Sequence, residues 1–380
     1  MMNRIIEKII IKFPKLIKIL RQFIDLTKIK RYYCCSELIR FCMNFNGRRA
    51  DKDEEYIAFC CEGLQYVPST TLLTARESIL SFAKLRSDII AESKIFSLCN
   101  NKIPDNYRIF TKGCIKCHKF KIDDFDVKKD NLIHFVNINM FFAPCQCKCV
   151  YCTQHEIDKS ILQERLNPKT FIKVIEAIDY AKNNGMIAED ALWQVASGEI
   201  TIHPLRDKIL DLIDDKKAKF LTNGFIFDER IASNLNKNHE SNVNISIDSG
   251  TPETWYKVKG VNNFNEVVNN ITKYSKSTNN QYGGITFKYI ILPGMNDNIN
   301  DYYGVIKIMK DLKLLKIRIS RDSRYKYSME NENRKILIKS AGILVGLLKK
   351  NNLENDMVHY LPEEIEEINI IAEEYLNKNI

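Results

Sequence analysis

All twelve cysteines of this 380-residue chain lie before residue 153, and that asymmetry constrains the fold more than any other feature. In a chain read as cytosolic, clustered thiols stay reduced and serve as metal or redox ligands, not as disulfide staples. The densest group is Cys145-Gln146-Cys147-Lys148-Cys149-Val150-Tyr151-Cys152. It contains C-x3-C-x2-C at Cys145, Cys149 and Cys152, with an aromatic before the last cysteine, and it follows a stretch at 133–140 that reads as a strand. Structural zinc takes four ligands and leaves no vacancy. Three thiolates on one short loop suit instead a [4Fe-4S] cube with one iron left open for an outside ligand. Cys147 breaks the spacing and reads as a bystander.

Further motifs follow in order. Ser197-Gly198-Glu199-Ile200-Thr201-Ile202-His203-Pro204 comes after an apolar strand at 192–196, and Leu221-Thr222-Asn223-Gly224 ends a strand beginning near 218. Val243-Asn244-Ile245-Ser246-Ile247-Asp248-Ser249 is a strand with a polar C-terminal end. Lys257-Val258-Lys259-Gly260 and Phe287 to Asp297 complete the series. Taken together these resemble the radical S-adenosylmethionine (radical SAM) superfamily: its cysteine loop, its Gly-Gly-Glu-Pro loop, its Thr-Asn-Gly strand end, and its fourth and fifth strands. Two departures stand in the glutamate loop, where Ser197 replaces the first glycine and Ile200 the proline.

The resemblance implies an α/β fold, a partial (β/α)6 TIM-like barrel with a smaller N-terminal Cys-rich module. Strands expected near 133–140, 192–196, 218–222, 242–248, 284–292 and 315–320 alternate with helical patterns at 168–182, 204–214, 228–236, 262–276 and 299–312. The cysteine loop, Glu199, Asn223, Ser246 and Asp248 then gather at the C-terminal strand ends, where parallel barrels hold their sites. It further implies that Cys145, Cys149 and Cys152 hold the cluster and that S-adenosyl-L-methionine is the second cofactor. Glu199 would meet the methionyl ammonium, and Gly198, Asn223, Ser246 and Asp248 the rest of that molecule. An electron from a donor such as flavodoxin or ferredoxin would cleave the sulfonium bond under reducing, oxygen-poor conditions. The 5'-deoxyadenosyl radical so formed would abstract hydrogen from a peptide, a protein, a sugar or another small metabolite. A non-enzymatic metal-binding or electron-transfer scaffold that keeps the barrel is the rival reading; an open iron beside a cofactor-facing carboxylate argues against it. Arg321 and Arg324, after the last strand, read as solvated charges.

The domain boundaries expected are 1–31, a basic amphipathic helix; 32–120, the Cys-rich module; 133–325, the barrel; and 326–380, two C-terminal helices. Within 32–120, Cys42, Cys60 or Cys61, Cys114 and Cys117 resemble an auxiliary-cluster module of the SPASM type, although such modules usually follow the barrel. They would hold a second [4Fe-4S] cluster, and zinc on the same thiols is the alternative. A helical pattern at 72–91 joins the two halves of that module.

With 57 Lys and Arg against 48 Asp and Glu, the formal charge is +9. Most of that excess sits in residues 1–31, which hold nine basic and two acidic residues. Their apolar stripe fits a helix packed on its own domain, or one lying on an anionic membrane surface. No nucleic-acid motif appears, and no nucleic-acid partner is expected. No apolar window approaches the roughly 18 residues of a spanning helix, and basic residues recur through what would be a signal's apolar region, so the chain reads as cytoplasmic.

Overall fold

The computed structural model describes residues 22, 24–47, 55–59, 69–71, 75–97, 121–125, 130–140, 143–152, 168–278, 284–322, 324 and 331–378. In chain order these form β1 (Arg31–Cys34), α1 (Ser36–Arg40), β2 (Cys42–Asn46), β3 (Tyr56–Ala58), β4 (Ser69–Thr71), α2 (Ala75–Ser97) and β5 (Lys121–Asp124). Then come six strand–helix repeats: β6 (Ile133–Asn139) with α3 (Pro168–Asn183), β7 (Ile187–Ala196) with α4 (Arg206–Ile213), and β8 (Ala218–Thr222) with α5 (Glu229–Lys237). The fourth pairs β9 (Asn242–Ser246) with α6 (Pro252–Lys259) and α7 (Phe264–Ser277). The last two join β10 (Ile285–Ile291) to α8 (Ile299–Asp311) and β11 (Lys316–Arg321) to α9 (Asn331–Lys350). A strand, β12 (Glu354–Val358), and α10 (Pro362–Lys378) end the described chain. The α/β class with parallel strands is as expected, and a strand falls on each of the six segments anticipated.

The chain divides into two compact units, residues 1–139 with 169–192 and residues 140–168 with 193–380. In the first, β6 pairs in parallel with β2, and β2 and β3, then β3 and β4, pair antiparallel. Buried asparagines bridge two of these strands: Asn137 Nδ2 donates to Asn44 Oδ1 at 2.8 Å and Asn139 Nδ2 to Asn46 Oδ1 at 2.9 Å. Paired in this way, the amides avoid the cost of burial without a partner. Arg86 of α2 is buried too and donates to the carbonyls of Leu38, Ile39 and Asp130. Cys42, anticipated as one ligand of an auxiliary cluster or zinc site, or else a free buried thiol, is a fully buried position of β2, and its strand belongs to the sheet of β6. Cys60, Cys61, Cys99, Cys114 and Cys117 lie outside the described residues, as do residues 1–21 and His155. Of the N-terminal segment, Leu26–Lys28 form one 3-10 turn capped by Asp25.

In the second unit, the end of β7 and strands β8 to β12 pair in sequence order, all parallel. Their residues alternate. Val243, Ile245, Phe287, Tyr289, Ile317 and Ile319 are buried on the helix-covered face, where the Tyr289 ring meets Tyr302 of α8 edge-on at 6.0 Å. The other face carries Asn244, Ser246, Thr286, Lys288 and Arg318. Neither α6 nor β12 was anticipated. Among the described residues no helix is long and apolar enough to cross a membrane.

Candidate active site

Residues 143–152 emerge after β6 and are fixed on two sides by backbone. On one side Met140 N–H donates to Ala196 O and Ala143 N–H to Met140 O, at 2.8 and 2.9 Å. There Gly198 comes so near that an added Cβ would lie 2.4 Å from the Ala143 Cβ, so glycine is required by contact. On the other side Lys148 N–H donates to Lys259 O at 2.7 Å and Val150 N–H to Val258 O at 3.1 Å. The chain can turn there because α6 is cleanly bounded. Thr251 caps its start, Pro252 opens the first turn, and Gly260 ends it in the left-handed region at φ 68°. A Cβ on Gly260 would lie 2.9 Å from that of Lys148.

Within this loop the thiols differ. Cys145 is exposed, Cys149 and Cys152 are half-buried, and Cys147 is buried. Hydrogen bonding from Cys147 holds the Cys145 thiol below its usual range. The same donor, helped by the charge of Lys259, brings Cys149 down to about 6, while Cys147 itself is pushed up. Thiolate character at Cys145 and Cys149 is what iron ligation requires. The spacing-breaking Cys147 is turned inward as a hydrogen-bond donor to Cys145 and Cys149.

Glu199 is buried and caps the 3-10 turn Ile200–Ile202. Its carboxylate accepts from Thr201 N–H (3.1 Å) and hydroxyl (2.7 Å), from the Thr222 hydroxyl (2.9 and 3.0 Å) and from Asn223 N–H (2.8 Å). Every one of these donors is neutral. Burial raises the Glu199 pKa and the hydrogen bonds pull it back only in part. A buried carboxylate with no cation beside it fits a cationic ligand. Asn223 joins this group to the loop, since its Nδ2 donates to Gln146 Oε1 at 3.1 Å and lies 3.5 Å from Cys145 Sγ. The departures in the glutamate loop also find their geometry. Ser197 sits at φ 63°, a position glycine adopts without strain, and Ile200 occupies the first position of a helical turn, where proline is at home.

Asp248, expected to face the cofactor, is engaged by neighbouring groups of the chain. It is fully buried, and its carboxylate is taken by Lys259, by the Tyr151 hydroxyl at 2.6 Å and by Ile290 N–H at 2.6 Å. Lys259 Nζ also donates to the Tyr151 oxygen at 2.8 Å and lies over the Tyr151 and Trp255 rings. Burial opposes the Lys259 charge, but Asp248 and Cys149 outweigh it and hold its pKa above the usual value. Both side-chain oxygens of Asp248 are thus engaged by the protein itself. Asp248 is instead the pin of a triad that anchors the cysteine loop through Tyr151, whose ring packs on Val258, Ile290 and Leu292. Sequence reasoning quoted Lys259 within a motif and missed this role, because its partners lie 108 and 11 residues away. Ser246 is half-buried at the end of β9, in register with Lys288. Arg321 corrects the sequence reading: it is buried and paired with Glu364, not solvated. Arg324 is exposed and paired with Asp322.

The parallel strands of the second unit thus carry a loop of thiols and a buried acid at their C-terminal ends. Residues 141–306 match the family model of the Radical SAM superfamily. No curated protein matches the sequence. Solved structures similar to parts of the chain include SuiB of Streptococcus suis bound to S-adenosylmethionine, at 12% identity over 87% of this chain and 72% of that one, with a TM-score of 0.44. A radical SAM methyltransferase from Sphaerobacter thermophilus is 13% identical over 56% of this chain and 63% of that one (TM-score 0.36). HydG, a maturase of the [FeFe]-hydrogenase, is 11% identical over 63% and 54% (TM-score 0.39).

Proposed function

We propose that the protein is a radical SAM enzyme in which Cys145, Cys149 and Cys152 hold a [4Fe-4S] cluster and Glu199 receives the methionyl ammonium of S-adenosylmethionine. The observation that carries this reading is the Glu199 carboxylate, buried among neutral donors and linked through Asn223 to a loop of open thiols. When bound, the cluster supplies the electron that cleaves the sulfonium bond, giving the 5'-deoxyadenosyl radical that takes hydrogen from substrate. The chain's own residues do the rest. Glu199 offers a charge to the ammonium, the Asn223 amide donates toward a ligand sulfur, which tunes the metal, and Tyr151, Asp248 and Lys259 fix the loop. An external donor of the flavodoxin or ferredoxin kind supplies the electron, and the thiols of the N-terminal segment hold a second cluster or zinc.

The test is iron and zinc per chain after anaerobic reconstitution, then dithionite and S-adenosylmethionine with detection of 5'-deoxyadenosine. Four irons at the loop and 5'-deoxyadenosine are expected, with about four further irons, or zinc, reporting the N-terminal site. Cys149→Ala is expected to lose the loop's iron and all cleavage; cleavage at the normal rate in that variant would sink the assignment.

A further inference from the structure

The polar face of the second unit carries a cation that nothing described neutralises. Lys288 lies on β10 between Ser246 of β9 and Arg318 of β11, each directly opposite it in register, and Arg318 lies in turn opposite Asp356 of β12. Nearby carboxylates are already engaged. Asp248 is paired with Lys259, Asp322 with Arg324 at 2.6 Å, and Asp356 with Lys316 at 3.0 Å, leaving Arg318 at 3.7 Å from the same group. Among the described residues no carboxylate stands within ion-pair distance of Lys288, which is half-buried. One register step away, the Oδ1 of buried Asn244 has no hydrogen-bond partner among the described residues. Burial is also the main influence depressing the Lys288 pKa, with Lys259 and Arg318 acting in the same direction and Asp248 and Asp322 against it.

A half-buried ammonium beside a partly exposed guanidinium carries a like-charge cost that an anion between them would relieve. Arginine offers a planar fork that matches an oxyanion, and lysine a point charge. The pair sits on the face turned from the helices, one register step from Asp248 and hence from the anchor of the cysteine loop. We infer that Lys288 and Arg318 form a seat for an oxyanion, a carboxylate or phosphate group, carried by the substrate. This inference rests on the proposed reading of the site and adds the chemical class of what enters it.

Competitive acetylation of lysines in the reconstituted holoenzyme, read by mass spectrometry, tests the seat with inorganic phosphate as probe. A bound oxyanion slows labelling of Lys288 by 1 + [L]/Kd, about fivefold at roughly four times Kd, and leaves exposed Lys307 unchanged. Arg318→Gln is expected to reduce that protection. Equal protection by chloride at matched ionic strength would mean screening only and would overturn the inference. So would protection by S-adenosylmethionine alone with no further effect of phosphate, since the seat would then belong to the cofactor's carboxylate. Phosphate protection in a protein that forms no 5'-deoxyadenosine would leave the seat standing and remove the radical SAM reading. Formation of 5'-deoxyadenosine without protection would remove the seat alone.

Discussion

Glu199 accepts from four neutral donors, the Thr222 hydroxyl being shared between its two oxygens, and among the described residues it faces no cation. Glu199→Gln keeps the size and discards the charge. It is expected to weaken S-adenosylmethionine binding roughly ten- to hundredfold, the range of a lost charged hydrogen bond, with iron content unchanged, as measured by equilibrium dialysis on reconstituted protein. Two residues earlier, Ser197 holds a backbone conformation that costs a non-glycine residue energy. Ser197→Gly is expected to raise stability by about 1 kcal/mol in denaturant melts. Glu199 was legible in sequence because its loop is a contiguous motif. The pairing of Asp248 was not legible for the opposite reason: Tyr151 and Lys259 reach its carboxylate only after the chain has folded.

At the level of elements, α6 carries more of the site than its eight residues suggest. Its last turn supplies two carbonyls to the cysteine loop and the lysine that pins Tyr151. Lys259→Met is expected to cost about 3–5 kcal/mol, because it leaves Asp248 buried without its cation. The double variant with Asp248→Asn is expected to cost at least about 1 kcal/mol less than the sum of the singles, measured as a thermodynamic cycle. The signals for α6 were present in Thr251-Pro252-Glu253 and Gly260, an N-cap with proline and a glycine stop. β12 had no such signal. It is an edge strand, Glu354–Val358, none of it fully buried, and it lacks the apolar alternation that marks a core strand. β2 carried apolar residues, and its Cys42 was read for metal chemistry, not for the buried strand position that it occupies.

For the molecule as a whole, the order of parallel strands was legible because each apolar run ends in a polar motif, whereas the small strands of the first unit are too short to declare themselves. The second unit also carries a latent sensitivity to acid. His203 is buried, its Nδ1 accepts from Leu205 N–H at 3.1 Å, and burial holds its pKa down to about 4. The folded state therefore binds this proton more weakly than the unfolded chain does. Its contribution is complete above about pH 6.5 and is lost as pH falls toward 4, to a limit of about 3 kcal/mol. Urea melts of the wild type and His203→Gln across that window are expected to converge at low pH, the variant showing the shallower decline.

The cysteine loop is held by backbone hydrogen bonds to Lys259 and Val258, by close approach to Gly198 and by Tyr151, all of them contacts within the polypeptide. If the loop holds a cube as proposed, these contacts, none of which uses a metal, would keep its path with or without iron. Oxidative damage to the cube would then be an injury to a replaceable part, and iron and sulfide returned under reducing conditions would rebuild it on a chain that never had to refold.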